Sequence, residues 1–225
     1  MRAVAVVLVV LIAAVIPPVL VVNAFRVLAT DTFVRFELDR IPPDLYGFTE
    51  DQRQALALTG LRSIRPGSEG VALLERATLP NGSPAFEERE LTHMRDVRRL
   101  FGAALRLQLV VLVALAALAI ALARTRLRTV VPTGLLAGAL ATLAVALLAV
   151  PIILLGFDGF FTRFHEVFFE GNSWRFSTAD TLIRLYPERF WQDVSRLAAA
   201  IAVGQAILLA PLAWWWRRAA RRQAA

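Results

Sequence analysis

Four stretches of this chain are long and apolar enough to cross a lipid bilayer as helices. They contain no acidic residue, and they cover residues 4–22, 103–123, 130–156 and 197–216. A helix needs about 20 apolar residues to span the bilayer core. Hydrophobic residues make up 57% of the chain, above the roughly 45–50% that is usual in soluble domains. The sequence therefore predicts an all-α polytopic membrane protein with four transmembrane helices.

The positions of the charges predict how these helices are oriented. Arginines, without any acidic residue, occupy the three short segments before, between and after the spans: Arg2, Arg124, Arg126, Arg128, Arg217, Arg218, Arg221 and Arg222. By the positive-inside rule these segments, and hence both termini, are cytoplasmic. All 18 acidic residues lie in the two remaining segments. The net charge of +7 is therefore explained by membrane topology and does not indicate binding to nucleic acid.

The predicted division of the chain follows from these spans. It comprises transmembrane helix 1 (1–23), an extracytoplasmic cap whose last helix continues into the second span (24–102), transmembrane helix 2 (103–123), a cytoplasmic loop (124–129), transmembrane helix 3 (130–156), an extracytoplasmic aromatic loop with interfacial helices (157–196), transmembrane helix 4 (197–216) and a cytoplasmic tail (217–225). Residues 1–23 could instead be a cleaved signal peptide, although their apolar run exceeds the usual 7–15 residues. The expected location is the cytoplasmic membrane.

The cap is predicted to be a small mixed α/β structure. Thr49 and Gln52 have the spacing of a capping box and Gly60 can end a helix, so residues 50–59 are predicted to be helical. Strands or helical extensions are predicted at residues 27–38 and 71–79. Ser83 followed by Pro84 is a good helix start, and no helix breaker follows before the second span.

The only two histidines of the chain, His93 and His165, both lie in the predicted extracytoplasmic segments, close to a span. Histidine takes and gives protons near neutral pH because its unperturbed pKa is about 6.5. Each alone would more often be a solvated or packed side chain. Two histidines that meet at a membrane surface would suit acid and base chemistry on a lipid.

The second extracytoplasmic segment is unusually aromatic. A stripe of phenylalanines follows helical spacing at Phe157, Phe160, Phe161, Phe164 and Phe168, which indicates a helix lying in the membrane interface. Ser177 is predicted to cap a second helix with Asp180 at the third position. Pro187 separates that helix from the last span.

Several kinds of chemistry are excluded or disfavoured by residues that the chain lacks. It has no cysteine and no lysine, so a thiolate nucleophile, thiol redox chemistry and a Schiff base are excluded. It has no Gly-x-Ser-x-Gly elbow. A metal could bind to His93, His165 and a carboxylate, but no HExxH-type spacing supports such a site. No metal and no cofactor are predicted.

Two motifs carry a resemblance to a known family. The run FTRFHEVFFEGNSWRFSTADTLIRLYPERFW at residues 161–191 and LTHMRDV at residues 91–97, combined with four spans and cytoplasmic termini, resemble the lipoprotein intramolecular transacylase family of bacterial membrane proteins. The resemblance implies transfer of an acyl chain within a diacylglyceryl lipoprotein, from a glycerol ester to the amine of the N-terminal cysteine. It also implies that His93 and His165 lie at the active centre, with a lipoprotein and phospholipid as partners.

Such a transfer needs a base and an acid, and no protein nucleophile. We expect one histidine to be the base, with Asp96 or Glu166 orienting it, and Arg163, Trp174 or Tyr186 aiding the oxyanion. The residues leave open which histidine is the base. The alternative function is that of a non-catalytic membrane adaptor or accessory protein that binds an extracytoplasmic partner.

Overall fold

The computed structural model describes residues 1–222, and in this range the chain forms helices joined by turns and short loops. They are α1 (Arg2–Leu28), α2 (Asp31–Leu38), α3 (Glu50–Ile64), α4 (Ala72–Glu75), α5 (Glu88–Leu122), α6 (Val130–Leu155), α7 (Phe157–Phe168), α8 (Thr181–Leu185) and α9 (Glu188–Arg222). By length and composition, α1, α5, α6 and α9 could each cross a membrane. The prediction of an all-α polytopic membrane protein with four transmembrane helices is confirmed.

One compact unit, here called the apolar unit, contains most of these four helices. It consists of Met1–Phe25, Arg106–Leu154 and the described part of Arg196–Ala225. In this unit α1 and α6 approach closely. A Cβ added to Gly134 of α6 would lie only 2.6 Å from the nearest atom of Ile12 in α1, and one added to Gly138 would lie 2.5 Å from Ile16. Small residues that let helix backbones approach are typical of packing between transmembrane helices.

The second compact unit, here called the cap unit, consists of Arg26–Leu105 and Leu155–Ser195. In it α3 packs against α2, α4 and α8. The prediction of a mixed α/β cap is wrong in its strands: among residues 1–222 the only β pairing is an isolated bridge between Thr78 and Pro84. The chain at 31–38 is helical because the Thr30 hydroxyl accepts a hydrogen bond from the Phe33 N–H and caps α2.

The predicted start of α3 is confirmed and its predicted end is wrong. Thr49 and Gln52 form both hydrogen bonds of a capping box, but α3 continues past Gly60 to Ile64. Gly60 has a packing role instead, because an added Cβ would lie 2.6 Å from the hydroxyl oxygen of Tyr186.

The prediction that α5 begins at Ser83–Pro84 is also wrong, since the helix begins at Glu88. The Ser83 hydroxyl donates to the Asn81 side chain in a tight turn, and the Ser83 carbonyl accepts from the Leu79 N–H. Ser83 is therefore committed to the turn and to the bridge beyond it, and cannot cap a helix.

The aromatic segment is helical at α7, as the phenylalanine spacing predicted. Ser177 does not cap a helix, however. Its N–H and hydroxyl both donate to the carboxylate of Asp180, and α8 begins only at Thr181. Pro187 separates α8 from α9, as expected.

Candidate active site

The two histidines meet inside the cap unit. His93 lies in the first turns of α5, ten residues before the apolar run that begins at Ala103, and His165 lies near the end of α7. Their rings are stacked with centroids 5.9 Å apart and an interplanar angle of 26°. Each residue is only 8% exposed. Two buried imidazoles in contact are close enough to act on one substrate group.

An aromatic cage surrounds the pair. We use this name for the four rings nearest to the imidazoles: Phe161, Phe169, Trp174 and Phe176. Phe169 contacts both histidines, with centroids 5.0 Å from His93 and 5.3 Å from His165. Phe176 packs on His93 at 5.4 Å, while Phe161 and Trp174 lie 4.0 and 5.0 Å from His165. Water is thereby largely displaced from both imidazoles.

The tautomer of His165 is set by a backbone hydrogen bond. Its Nδ1 lies 2.7 Å from the carbonyl oxygen of Phe161, one turn earlier in α7. A carbonyl oxygen can only accept, so Nδ1 carries the proton and donates it. The neutral ring then has its lone pair on Nε2, the nitrogen that can act as a base.

Burial keeps both imidazoles neutral. Burial, with a smaller contribution from the neighbouring His165, lowers the pKa of His93 to about 4. Burial also lowers the pKa of His165, partly opposed by the Phe161 carbonyl, which favours the protonated ring. At neutral pH the site therefore holds two uncharged imidazoles, each able to accept a proton on one ring nitrogen and to donate a hydrogen bond from the other.

One ring nitrogen of His93 has no hydrogen-bond partner in the described part of the chain. This atom is the buried Nδ1, although a buried polar atom without a partner costs roughly 1–3 kcal/mol.

One turn before His93, the buried carboxylate of Glu90 accepts hydrogen bonds from the N–H groups of Glu87 and Leu182. Glu90 therefore joins the start of α5, and with it His93, to the start of α8.

Of the predicted supporting residues, Trp174 is the one that lies in the cage. Tyr186 is occupied elsewhere: its hydroxyl donates to the carbonyl of Ala57 in α3, and burial raises its pKa. Its ring packs on Phe190 and Trp191. Tyr186 thus connects α3 to the segment that follows α8.

The other three predicted residues are charged side chains with at least partial exposure. Asp96 forms an ion pair with Arg99, with nitrogen and oxygen 3.2 Å apart. Arg163 and Glu166 lie on the exposed face of α7. Their contribution to the site stays a prediction.

Sequence reasoning missed the cage residues Phe169 and Phe176 and the anchoring role of Glu90. Phe169 stands four residues after His165, which places it on the same helical face. That spacing could have identified it, whereas Phe176 reaches His93 only because the chain turns at Gly171, where φ is +68°. Among residues 1–222, no group of three or more His, Cys, Asp or Glu side chains could hold a metal ion.

Comparisons with known proteins agree with this fold. A family model described as "Lipoprotein intramolecular transacylase Lit" matches residues 71–191, which include both histidines. An uncharacterized protein of Aquifex aeolicus is 29% identical over 179 residues, or 79% of this chain and 79% of that protein.

Two solved structures are also similar in fold. The membrane integral lipoprotein intramolecular transacylase of Bacillus cereus has a TM-score of 0.81 at 19% identity, covering 99% of this chain and 100% of that one. A variant of that protein with one histidine replaced has a TM-score of 0.74 at 18% identity, covering 99% and 96%.

Proposed function

Because this chain belongs to the lipoprotein intramolecular transacylase family, and is therefore an acyltransferase, we propose that it acts within a diacylglyceryl-modified lipoprotein. It moves one acyl chain from a glycerol ester to the amine of the lipidated N-terminal cysteine. The observation that carries this proposal is the contact between two buried, neutral imidazoles, one of which presents a free Nε2 lone pair.

The reaction balances without a cofactor or a protein nucleophile. The amine nitrogen attacks the ester carbonyl carbon and makes the C–N bond, which gives a tetrahedral oxyanion. The oxyanion then collapses to the amide as the C–O bond to glycerol breaks. The amine loses a proton and the glycerol oxygen gains one. The products are a free glycerol hydroxyl and an N-acyl cysteine in the same molecule, so the enzyme has to hold the two groups together and move a proton between them.

His165 is the base in this proposal. Its Nδ1 is engaged by the Phe161 carbonyl, so Nε2 is the atom that takes the amine proton. Because burial lowers its pKa, the ring is neutral and ready to accept a proton at neutral pH, and it returns that proton readily. A positioned base of this kind contributes about 10²–10⁴-fold to the rate.

His93 assists as a neutral imidazole. Since its pKa is about 4, it is not a standing cation, but its unpartnered Nδ1 can exchange a hydrogen bond with the reacting groups. It thereby completes the proton path from the amine to the glycerol oxygen. Trp174, beside His165, has an indole N–H that can only donate and is the candidate donor to the oxyanion.

The cage explains why the acyl chain goes to the amine and not to water. Excluding water from a site strengthens its electrostatic interactions and suppresses side hydrolysis. On α7, next to His165, Phe164, Val167 and Phe168 are 37%, 74% and 50% exposed. An apolar helix face of this kind suits the acyl chains of the substrate and of phospholipid. We place the site on the extracytoplasmic side of the cytoplasmic membrane, from the charge distribution.

A crossover experiment tests this function. Purified protein in detergent receives equal amounts of two diacylglyceryl lipopeptides. One is unlabelled, and the other carries heavy isotopes in both its acyl chains and its peptide. Tandem mass spectrometry should locate one acyl chain on the cysteine amine with no change in mass and no mixed product. A peptide with an acetylated amine should not react. Mixed products, or an unchanged peptide with well-folded protein, would contradict the proposal.

A further inference from the structure

A cavity in the apolar unit lies where α5 ends and α9 approaches its own end. Its volume is about 140 Å³, and its walls are Ala119, Ala123, Arg128, Trp216, Ala219 and Ala220. Engineered cavities of roughly 150 Å³ hold a benzene molecule. A phosphoryl group has fewer heavy atoms than benzene and fits in such a space.

The charge around this cavity has no counterpart within its own unit. The sequence of the apolar unit contains no aspartate and no glutamate. Arginines crowd the segments that border the cavity: Arg124, Arg126, Arg128, Arg217, Arg218, Arg221 and Arg222. They outweigh the roughly half negative charge at the end of a helix such as α5. Within the sequence of this unit, these arginines have no acidic side chain with which to pair.

Two arginines that adjoin the cavity wall in sequence, Arg217 and Arg218, differ in their contacts. The guanidinium carbon of Arg218 lies 4.5 Å from the centroid of the Trp214 ring, which is a cation–π contact. The Nε of Arg217, next to Trp216 in the chain, is buried and has no hydrogen-bond partner among residues 1–222. A buried guanidinium nitrogen without a partner is costly, and Arg217 adjoins the cavity wall in sequence without lining the cavity itself.

We propose that this cavity binds the phosphate headgroup of an anionic phospholipid. Arg128 forms the charged wall, the four alanines leave the space, and Trp216 provides an amphipathic ring of the kind found at the membrane interface. Basic pockets between transmembrane helices on the cytoplasmic side are suited to such headgroups. The site is separate from the histidine pair and does not depend on the function proposed above.

Lipid retention by the purified full-length protein tests the proposal. The protein in neutral detergent is mixed with phosphatidylglycerol or phosphatidylcholine, and bound lipid is counted by native mass spectrometry. We expect one phosphatidylglycerol to be retained in preference to phosphatidylcholine. Arg128→Gln, which removes the charge, and Ala219→Leu, which fills the cavity at unchanged charge, should each weaken that binding about fivefold or more.

The matched control is Arg2→Gln, which removes the same charge from the same acid-free unit but does not line the cavity. It should bind as the wild type does. Equal binding of the two lipids, or equal loss in Arg2→Gln and Arg128→Gln, would overturn the proposal in favour of general charge attraction. Complete displacement of the lipid by millimolar inorganic phosphate would assign the site to a free anion and would overturn it as well.

Discussion

The imidazole of His165 stacks on that of His93, and only the first of the two has its Nδ1 held by a backbone carbonyl. The two rings are therefore not equivalent. His165 has a defined tautomer and one available nitrogen, whereas His93 is the more deeply perturbed ring, with a pKa near 4. This asymmetry is the reason for assigning the base to His165 and the assisting role to His93.

Burial of His93 predicts a loss of stability in acid. Its pKa is about 4 in the folded protein and about 6.5 in the unfolded chain, so between these values the unfolded state binds more protons. Stability is then full above pH 6.5 and falls as the pH drops towards 4, by about 2 kcal/mol between pH 7.5 and 5. Thermal unfolding in detergent should show a shallower acid decline for His93→Asn. Parallel declines in both proteins would refute the assignment.

Tyr186→Phe is expected to lower stability and to spare catalysis. The hydroxyl donates to the Ala57 carbonyl, so its removal leaves a buried acceptor unpaired at a cost of roughly 1–3 kcal/mol. Unfolding temperature and acyl transfer per folded protein are the two measurements. A hundredfold loss of activity in folded protein would instead support an oxyanion role for Tyr186.

Glu90→Gln should be more damaging than Asp96→Asn, although both remove one carboxylate from the first turns of α5. The Glu90 carboxylate accepts two backbone N–H groups on its two oxygens, and an amide would place its NH₂ against one of them. We expect a cost of about 1–3 kcal/mol for Glu90→Gln. Asp96 pairs with an exposed arginine, so its loss should cost at most about 1 kcal/mol. The reverse order of unfolding temperatures would be inconsistent with this reading.

Two glycine substitutions should differ in their effect on stability, because only one of the two glycines lies in the contact of α1 with α6. Gly138→Ala would bring a Cβ to 2.5 Å from Ile16 and should lower the unfolding temperature. Gly204→Ala in α9 has nothing within 4 Å of the added Cβ and should be neutral or slightly stabilising, because alanine favours helix by about 1 kcal/mol over glycine. Equal effects would show that the α1–α6 contact does not contribute to stability.

The spans and α7 could be predicted because their signals are periodic and local. Twenty apolar residues or a phenylalanine stripe determine a helix without reference to the rest of the chain. The placement of His93 and His165 in corresponding segments raised the expectation that they meet, and their rings are in contact. Their catalytic role remains a prediction.

The errors arose where a tertiary contact or a competing local hydrogen bond changed the preferred local structure. Gly60 is a plausible helix end by sequence, but the hydroxyl of Tyr186, 126 positions later, needs the space that a glycine leaves. Ser83 is a plausible cap, but Asn81 takes its hydroxyl. The tautomer of His165 likewise depends on the path of α7, which no motif encodes. The Gly60–Tyr186 contact lies outside any short window of sequence, whereas the Ser83–Asn81 and His165–Phe161 hydrogen bonds are local but depend on the path of the backbone.

The variant His165→Asn tests whether Nε2 of His165 is the base. An asparagine amide can keep the hydrogen bond to the Phe161 carbonyl that Nδ1 now makes, but it has no basic nitrogen. Acyl transfer to the cysteine amine of a diacylglyceryl lipopeptide is measured by tandem mass spectrometry for wild type and variant at equal amounts of folded protein. We expect a rate at least about 10²-fold lower in His165→Asn. A variant that transfers the acyl chain at close to the wild-type rate would contradict it.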